Sequence, residues 1–226
     1  PIGVVQGVVN NSDNGLTHRS SYAPPSGNSA GATVVVRGVI YQKTLARASG
    51  GGSQNGFFIQ NTADIADGDP NSSDGIFVFM GGFTDLIGGY VPVVGDEVVI
   101  SGRVSEFFNL TELSSARLLL LVRSGVDLDA ELPAFQVNPP DDLAEANRYW
   151  ERHEGMRAQV PPGSLVIDSR DVFASTADAE VWVMRADHPV AQRSDPYNRR
   201  VFRDTHPLDN DPGLFDDGNG YRIVLG

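Results

Sequence analysis

A chain of 226 residues with 40 % hydrophobic content is long enough to bury a core and too apolar for wholesale disorder. Its 29 acids against 17 bases give a net charge of −12, a surface that on average repels bare phosphate backbones. With no cysteine, disulfides and thiolate metal sites are excluded, and the longest compact apolar run, at 118–122, is far short of a bilayer span.

Short β-branched and aromatic runs separated by Gly- and Pro-rich turns predict strands over 4–9, 33–41, 57–61, 76–79, 97–104 and 117–122. Together they suffice for a compact barrel of about five strands. Gly38 and Gly102 interrupt two of the runs, where bulges or sharp barrel bends are expected. Segments 10–31 and 46–55, rich in Ser, Gly and Asn, read as long loops, the second a hairpin tip. Pro139–Pro140 closes this first unit. Asp141 and Asp142 then cap a helix that runs to about Glu154 and stops at Gly155. Leu143, Ala146, Trp150 and His153 fall on one face of it as a docking stripe. A second β-rich segment follows, with strands over 156–160, 165–168, 180–185 and 221–225 around a long polar stretch. Because the chain stops at Gly226 inside a strand-like run, this second unit reads as incomplete. The expectation is an all-β fold with boundaries at 1–31 (N-terminal strand and loop), 32–138 (barrel), 139–155 (linker helix) and 156–226 (second, incomplete β unit).

Two kinds of side chain offer chemistry. Asp64, Asp67, Asp69 and Asp74 share one glycine-containing loop between strands. Such a loop is either a solvated acidic turn or a set of oxygens for a hard cation such as Ca²⁺, although it lacks EF-hand spacing and a closing Glu. Asp209, Asp211, Asp216 and Asp217 pose the same alternative. The tetrapeptide Gly68-Asp69-Pro70-Asn71 and the pair Asp187-His188 look superficially like pieces of metal-dependent nuclease sites, and the resemblance is read as coincidence. The four histidines share no zinc spacing, and no serine sits in a nucleophile elbow. The chain is therefore expected to carry no catalytic site of its own.

The aromatics are the other handle. Phe57, Phe58, Phe77 and Phe79 fall on neighbouring predicted strands, with Phe107 and Phe108 after the next. Alternation along a strand sends one of Phe57 and Phe58 outward, where a ring either packs under a loop or stacks a single-stranded base. Arg193, Arg199, Arg200 and Arg203 form the densest basic stretch, poised between phosphate contact and pairing with nearby acids.

Taken in order, Gly56-Phe57-Phe58-Ile59-Gln60, Asp67-Gly68-Asp69-Pro70, Ser73-Asp74-Gly75-Ile76-Phe77-Val78-Phe79, Val94-Gly95-Asp96-Glu97-Val98, Gly102-Arg103-Val104-Ser105-Glu106-Phe107, Leu110-Thr111-Glu112-Leu113 and Glu151-Arg152-His153-Glu154-Gly155-Met156 form a linked set. This set resembles the non-catalytic OB-fold region of large secreted bacterial nucleases of the endonuclease/exonuclease/phosphatase family, which often carry lamin-tail modules. The resemblance implies an OB-fold barrel, a linker helix and a second, incomplete OB-like unit in an extracellular setting, with Ca²⁺ available to the acidic loop. It also implies that the nuclease catalytic domain lies outside this chain.

The leading expectation is an accessory region that handles single-stranded nucleic acid through Phe58, Arg103 and Phe107 near one barrel face. Its rival is an extracellular structural or adhesive module that assembles with its own copies through the unfinished β edge, with Ca²⁺ as stabiliser.

Overall fold

The computed structural model describes residues 1–12, 17–25, 31–47, 53–167, 171–172, 179–189, 191–192 and 221–225. The fold is mostly β, in two compact units: Pro1–Phe135 with Trp150–Arg157, and Gln136–Tyr149 with Ala158–Gly226. The arginine cluster at 193–203, the acids at 209–217 and His206 lie outside the described residues.

The first unit opens with a short helix, α1 (Ile2–Gln6), followed by β1 (Thr33–Arg47), β2 (Ser53–Gln60), β3 (Gly75–Gly81), β4 (Glu97–Phe107) and β5 (Leu110–Arg123). The first of these departs from expectation, since 4–9 was predicted as a strand. Valine content favours a strand, but Ile2 and Val5, one helical turn apart, both drop into the core. Burial of that pair outweighs the weak local preference. The Ile2 N–H, which the helix itself leaves unpaired, donates to Asn61 Oδ1 at 2.7 Å.

The five strands pair in the order β1-β2-β3-β5-β4, and β4 pairs back onto β1. All contacts are antiparallel except β3–β5, a short parallel pairing of Phe77 with Glu112 and Val78 with Leu113. Alternation sorts each strand into two faces. Val98, Ile100 and Val104 of β4, Phe57 and Ile59 of β2, and Ile76 and Val78 of β3 are all fully buried in one core cluster. Burying each such side chain contributes about 1.5–3 kcal/mol. The register slips at Gly102, between Ser101 and Arg103, as expected of a bulge glycine. In β1 the slip falls between Ile40 and Gln42 instead of at Gly38. Gly38 serves a close approach, because a Cβ there would sit 2.9 Å from the Gln60 carbonyl oxygen.

One end of this sheet is tied by charge. Glu97 is fully buried, and its two oxygens accept from Arg37 Nε at 2.6 Å and Arg123 Nε at 2.5 Å. Arg123 also reaches Glu131 of the short helix α2 (Leu128–Glu131). A buried carboxylate flanked by two guanidiniums avoids the cost of an unpaired charge.

After α2 come β6 (Phe135–Gln136), α3 (Leu143–Arg152) and β7 (Ala158–Gln159), which pairs with β6. Asp142 caps α3 by accepting the Glu145 N–H at 2.9 Å, and Gly155 takes φ 64° just beyond its end. The expected stripe is only partly buried: Ala146 is enclosed, but Leu143 is exposed. His153 lies past the last helical residue and stacks on Phe135 with centroids 4.3 Å apart.

In the second unit β10 (Ala179–Met184) is central. It pairs antiparallel with β11 (Ile223–Leu225), β8 (Leu165–Val166) and β9 (Asp171–Val172). Val183, Met184 and Ile223 are among its buried apolar side chains.

Candidate functional site

The outer face of the first unit's sheet holds a cleft of about 260 Å³ lined by Gln42, Thr44, Phe58, Phe77, Phe79, Phe107, Leu110 and Glu112. Its construction follows from register. Gln42 lies opposite Phe58, Phe58 opposite Phe77, Phe77 opposite Glu112, and Glu112 opposite Ser105. These five residues form one cross-strand row over the whole sheet. The adjoining row runs from Thr44 through Gly56 to Phe79. Gly56 has no side chain, and the Phe77 ring occupies the space it leaves, since a Cβ there would fall 2.1 Å from the ring. Glycine at this one position lets the rings sink into the sheet face.

The rings differ in what they offer. Phe57 is buried in the core, whereas Phe58 faces outward, clamped between Tyr41 and Phe77 at centroid distances of 5.9 and 4.8 Å. Phe58 is therefore a fixed wall. Phe107, 38 % exposed at the end of β4, is the open one. Phe108 meets it edge to face at 4.7 Å and is itself 90 % exposed. Phe108 and Asn109 form the tip of the β4–β5 hairpin with φ of 50° and 66°. Positive φ at both residues is what a two-residue type I′ hairpin loop requires, and it leaves the Phe108 ring on the outside.

Among the described residues that line the cleft, Glu112 is the one ionisable side chain. It accepts from Ser105 Oγ at 3.2 Å. Burial pushes its carboxyl above the usual range; the Ser105 bond opposes this, and nearby Glu106 adds to it. Arg103 is exposed on β4, opposite Thr33 and Ser114, and does not line the cleft. Of the three residues expected to contact nucleic acid, the cleft thus unites Phe58 and Phe107 and leaves Arg103 aside. The sequence offered Phe77 and Phe79 among the candidate aromatics without making them contacts, and Leu110 and Glu112 lay outside its predicted strands; the structure lines the cleft with all four.

The acidic loop is arranged differently. Asp64 accepts from Thr62 Oγ1 at 2.5 Å. Asp67 accepts the Asp69 N–H at 3.0 Å and the Ser72 hydroxyl, and Asp69 accepts the Asn71 N–H at 2.9 Å. Asp67 and Ser72 also crowd Gly3 of α1, where a Cβ would stand 2.3 Å from Asp67 Oδ2. The Val9 N–H donates to the Asn71 carbonyl at 2.8 Å, so the loop seats the N-terminal segment. Burial, with Asp67 as a second cause, raises the Asp74 carboxyl to about 6. Among the described residues no three His, Asp or Glu side chains converge as ion ligands. In this arrangement the loop's carboxylates accept from hydroxyls and backbone N–H groups of the same loop.

A third set of acids lies inside the first unit. Glu106 Oε1 accepts the Ser20 N–H at 2.8 Å and the Thr111 hydroxyl at 3.0 Å, while its buried Oε2 has no hydrogen-bond partner among the described residues. Glu154 accepts the Thr111 N–H at 3.0 Å. Burial, reinforced by Glu151, pushes Glu154 up to about 8. Compared with protein-family models, curated proteins and solved structures, the chain matches none.

Proposed function

We propose that this chain is a non-catalytic ligand-binding module of the OB-fold type, acting through the aromatic cleft on its sheet face. The observation that carries the reading is the convergence of Phe58, Phe77, Phe79 and Phe107 from three strands into one depression. OB barrels are five-stranded and receive ligands on the face of their second and third strands. The cleft lies on β2 and β3 and extends to β1, β4 and β5. In the setting implied by the resemblance to secreted nucleases, such a module would hold a ligand for a catalytic domain elsewhere in a longer extracellular protein.

Single-stranded nucleic acid is the first ligand class to test. Stacking on an aromatic contributes about 1–3 kcal/mol per base. Among the described residues no arginine or lysine lines the cleft to neutralise phosphates, and the chain carries a net charge of −12. The experiment is NMR titration of the labelled chain with a short oligothymidylate and with a mixed set of small aromatic, neutral and cationic ligands. The reading requires at least one class to shift Phe58, Phe77 and Phe107 signals and to lose that effect in Phe107→Ala. Silence of the cleft toward every class would overturn it.

A second reading, self-assembly, draws on β5. Leu119, Leu120, Leu121 and Val122 are all exposed. A long exposed apolar strand is an assembly hazard unless something covers it. Sedimentation velocity across a hundredfold concentration range tests this, with Leu120→Lys as the variant that must abolish any association.

A further inference from the structure

Resting on the binding-module reading, we propose that the aromatic cleft recognises an organic cation, specifically a quaternary ammonium head group, with Glu112 as its counter-charge. Three independent features support this choice of ligand.

The first is the chemistry of the walls. Phe58, Phe77, Phe79 and Phe107 line one depression, and an aromatic lining attracts cations through the ring quadrupole. The attraction strengthens where water is excluded. The second is the sign of the charge that Glu112, alone among the described lining residues, brings to the cleft. Glu112 lies between Phe77 and Ser105 in the cross-strand row, is 7 % exposed, and has one hydroxyl donor at 3.2 Å. A carboxylate on an apolar outer face is costly unless a positive partner arrives. Phosphates would meet it as a like charge, and a neutral apolar ligand would leave it uncompensated. The third is size. Clefts for drug-sized ligands run about 300–1,000 Å³, whereas this one is about 260 Å³, suited to a compact head group. Leu110, together with the exposed Phe107 and Phe108, supplies apolar surface for the methyl groups at the cleft's rim.

Binding and protonation are linked. Burial raises the Glu112 carboxyl, and a bound cation would favour its ionised form. Affinity is therefore expected to fall as pH drops through the range in which Glu112 takes up its proton.

The test is calorimetric titration of the full chain with choline and with 3,3-dimethyl-1-butanol, its uncharged isostere, followed by the same titrations on Glu112→Gln and Phe107→Ala. Glu112→Gln keeps shape and removes charge, and Phe107 is exposed, so both variants are expected to fold; circular dichroism checks this. The expected result is choline binding at least tenfold tighter than the isostere, weakened about tenfold by Glu112→Gln and at least fivefold by Phe107→Ala. Phosphatidylcholine vesicles form a further arm, in which co-sedimentation identifies a lipid head group as the source and free choline alone identifies a soluble one. Equal binding of choline and its isostere, or choline binding untouched by Glu112→Gln, would overturn the proposal. Oligothymidylate shifting the cleft while choline does not would also overturn it, yet leave the binding-module reading standing. Silence toward all ligands removes both.

Discussion

The acidic loop and the aromatic cleft are built in opposite ways. In the loop, Asp64, Asp67, Asp69 and Asp74 are close in sequence, and three of them accept from donors at most five residues away. In the cleft, Gln42, Phe58, Phe77 and Glu112 are far apart in sequence and are brought into one row by strand pairing. Short polar side chains in a turn bond readily to the backbone beside them. Side chains on a strand cannot do this, because alternation holds them off the backbone and aims them at a common surface. Shared parity across paired strands thus gathers side chains that sequence distance keeps apart.

The largest expected effect separates the two faces of the same strand. Phe57→Ala should cost about 3–5 kcal/mol, whereas Phe58→Ala, removing a half-buried outer ring, should cost about 1–2 kcal/mol. Chemical denaturation measures both, and equal losses would break the assignment of faces.

The next effect concerns pH. Below about 4.5 the Glu154 carboxyl is protonated in both states; between there and about 8 only the folded chain holds the proton; above that both forms are ionised. Its contribution to stability is thus full in acid and lost as pH rises to about 8, by roughly 3 kcal/mol after allowance for relaxation. Melting temperatures from pH 4.5 to 9 should fall more steeply in the natural chain than in Glu154→Gln. Parallel curves would remove Glu154 as the cause.

The loop supplies a smaller effect. Asp67→Ala should destabilise by about 1 kcal/mol through loss of the Asp69 N–H and Ser72 hydroxyl bonds. Millimolar Ca²⁺ should leave the melting temperature within about one degree. A larger rise would mean that the carboxylates rearrange into a cage and would erase the contrast drawn above. The smallest effect is expected at Arg103, which lies outside the lining residues. Arg103→Ala should leave cleft ligand affinity within about twofold in the same titrations.

Much of the fold was legible because local rules and tertiary placement agreed. The predicted runs at 57–61, 76–79 and 97–104 lie in or across β2, β3 and β4, and the Asp142 cap with Gly155 brackets α3. The reading failed at α1, where the β-branched 4–9 run took a helical turn to bury Ile2 and Val5. It also gave Gly38 a bulge that lies at Ile40–Gln42, since a close approach and a bulge leave the same glycine in a sequence. In the site, outward parity sufficed for one of Phe57 and Phe58 but could not show that Phe79, Phe107 and Glu112 share a cleft. That requires the register of four strands, and register is a property of pairs.

By itself the sequence determined a mostly β architecture, the absence of thiol chemistry and a strongly acidic surface, because composition and period-2 patterning are properties of residues one at a time. Only the tertiary structure decided that Gly56 makes room for the Phe77 ring, that Glu112 is enclosed beside it, and that the Asn71 carbonyl of the acidic loop holds the N-terminal segment through the Val9 N–H. Each of these depends on which atoms meet across tens of residues of chain. Hydrogen-bond register and burial set those meetings, and neither is written in any single stretch of sequence.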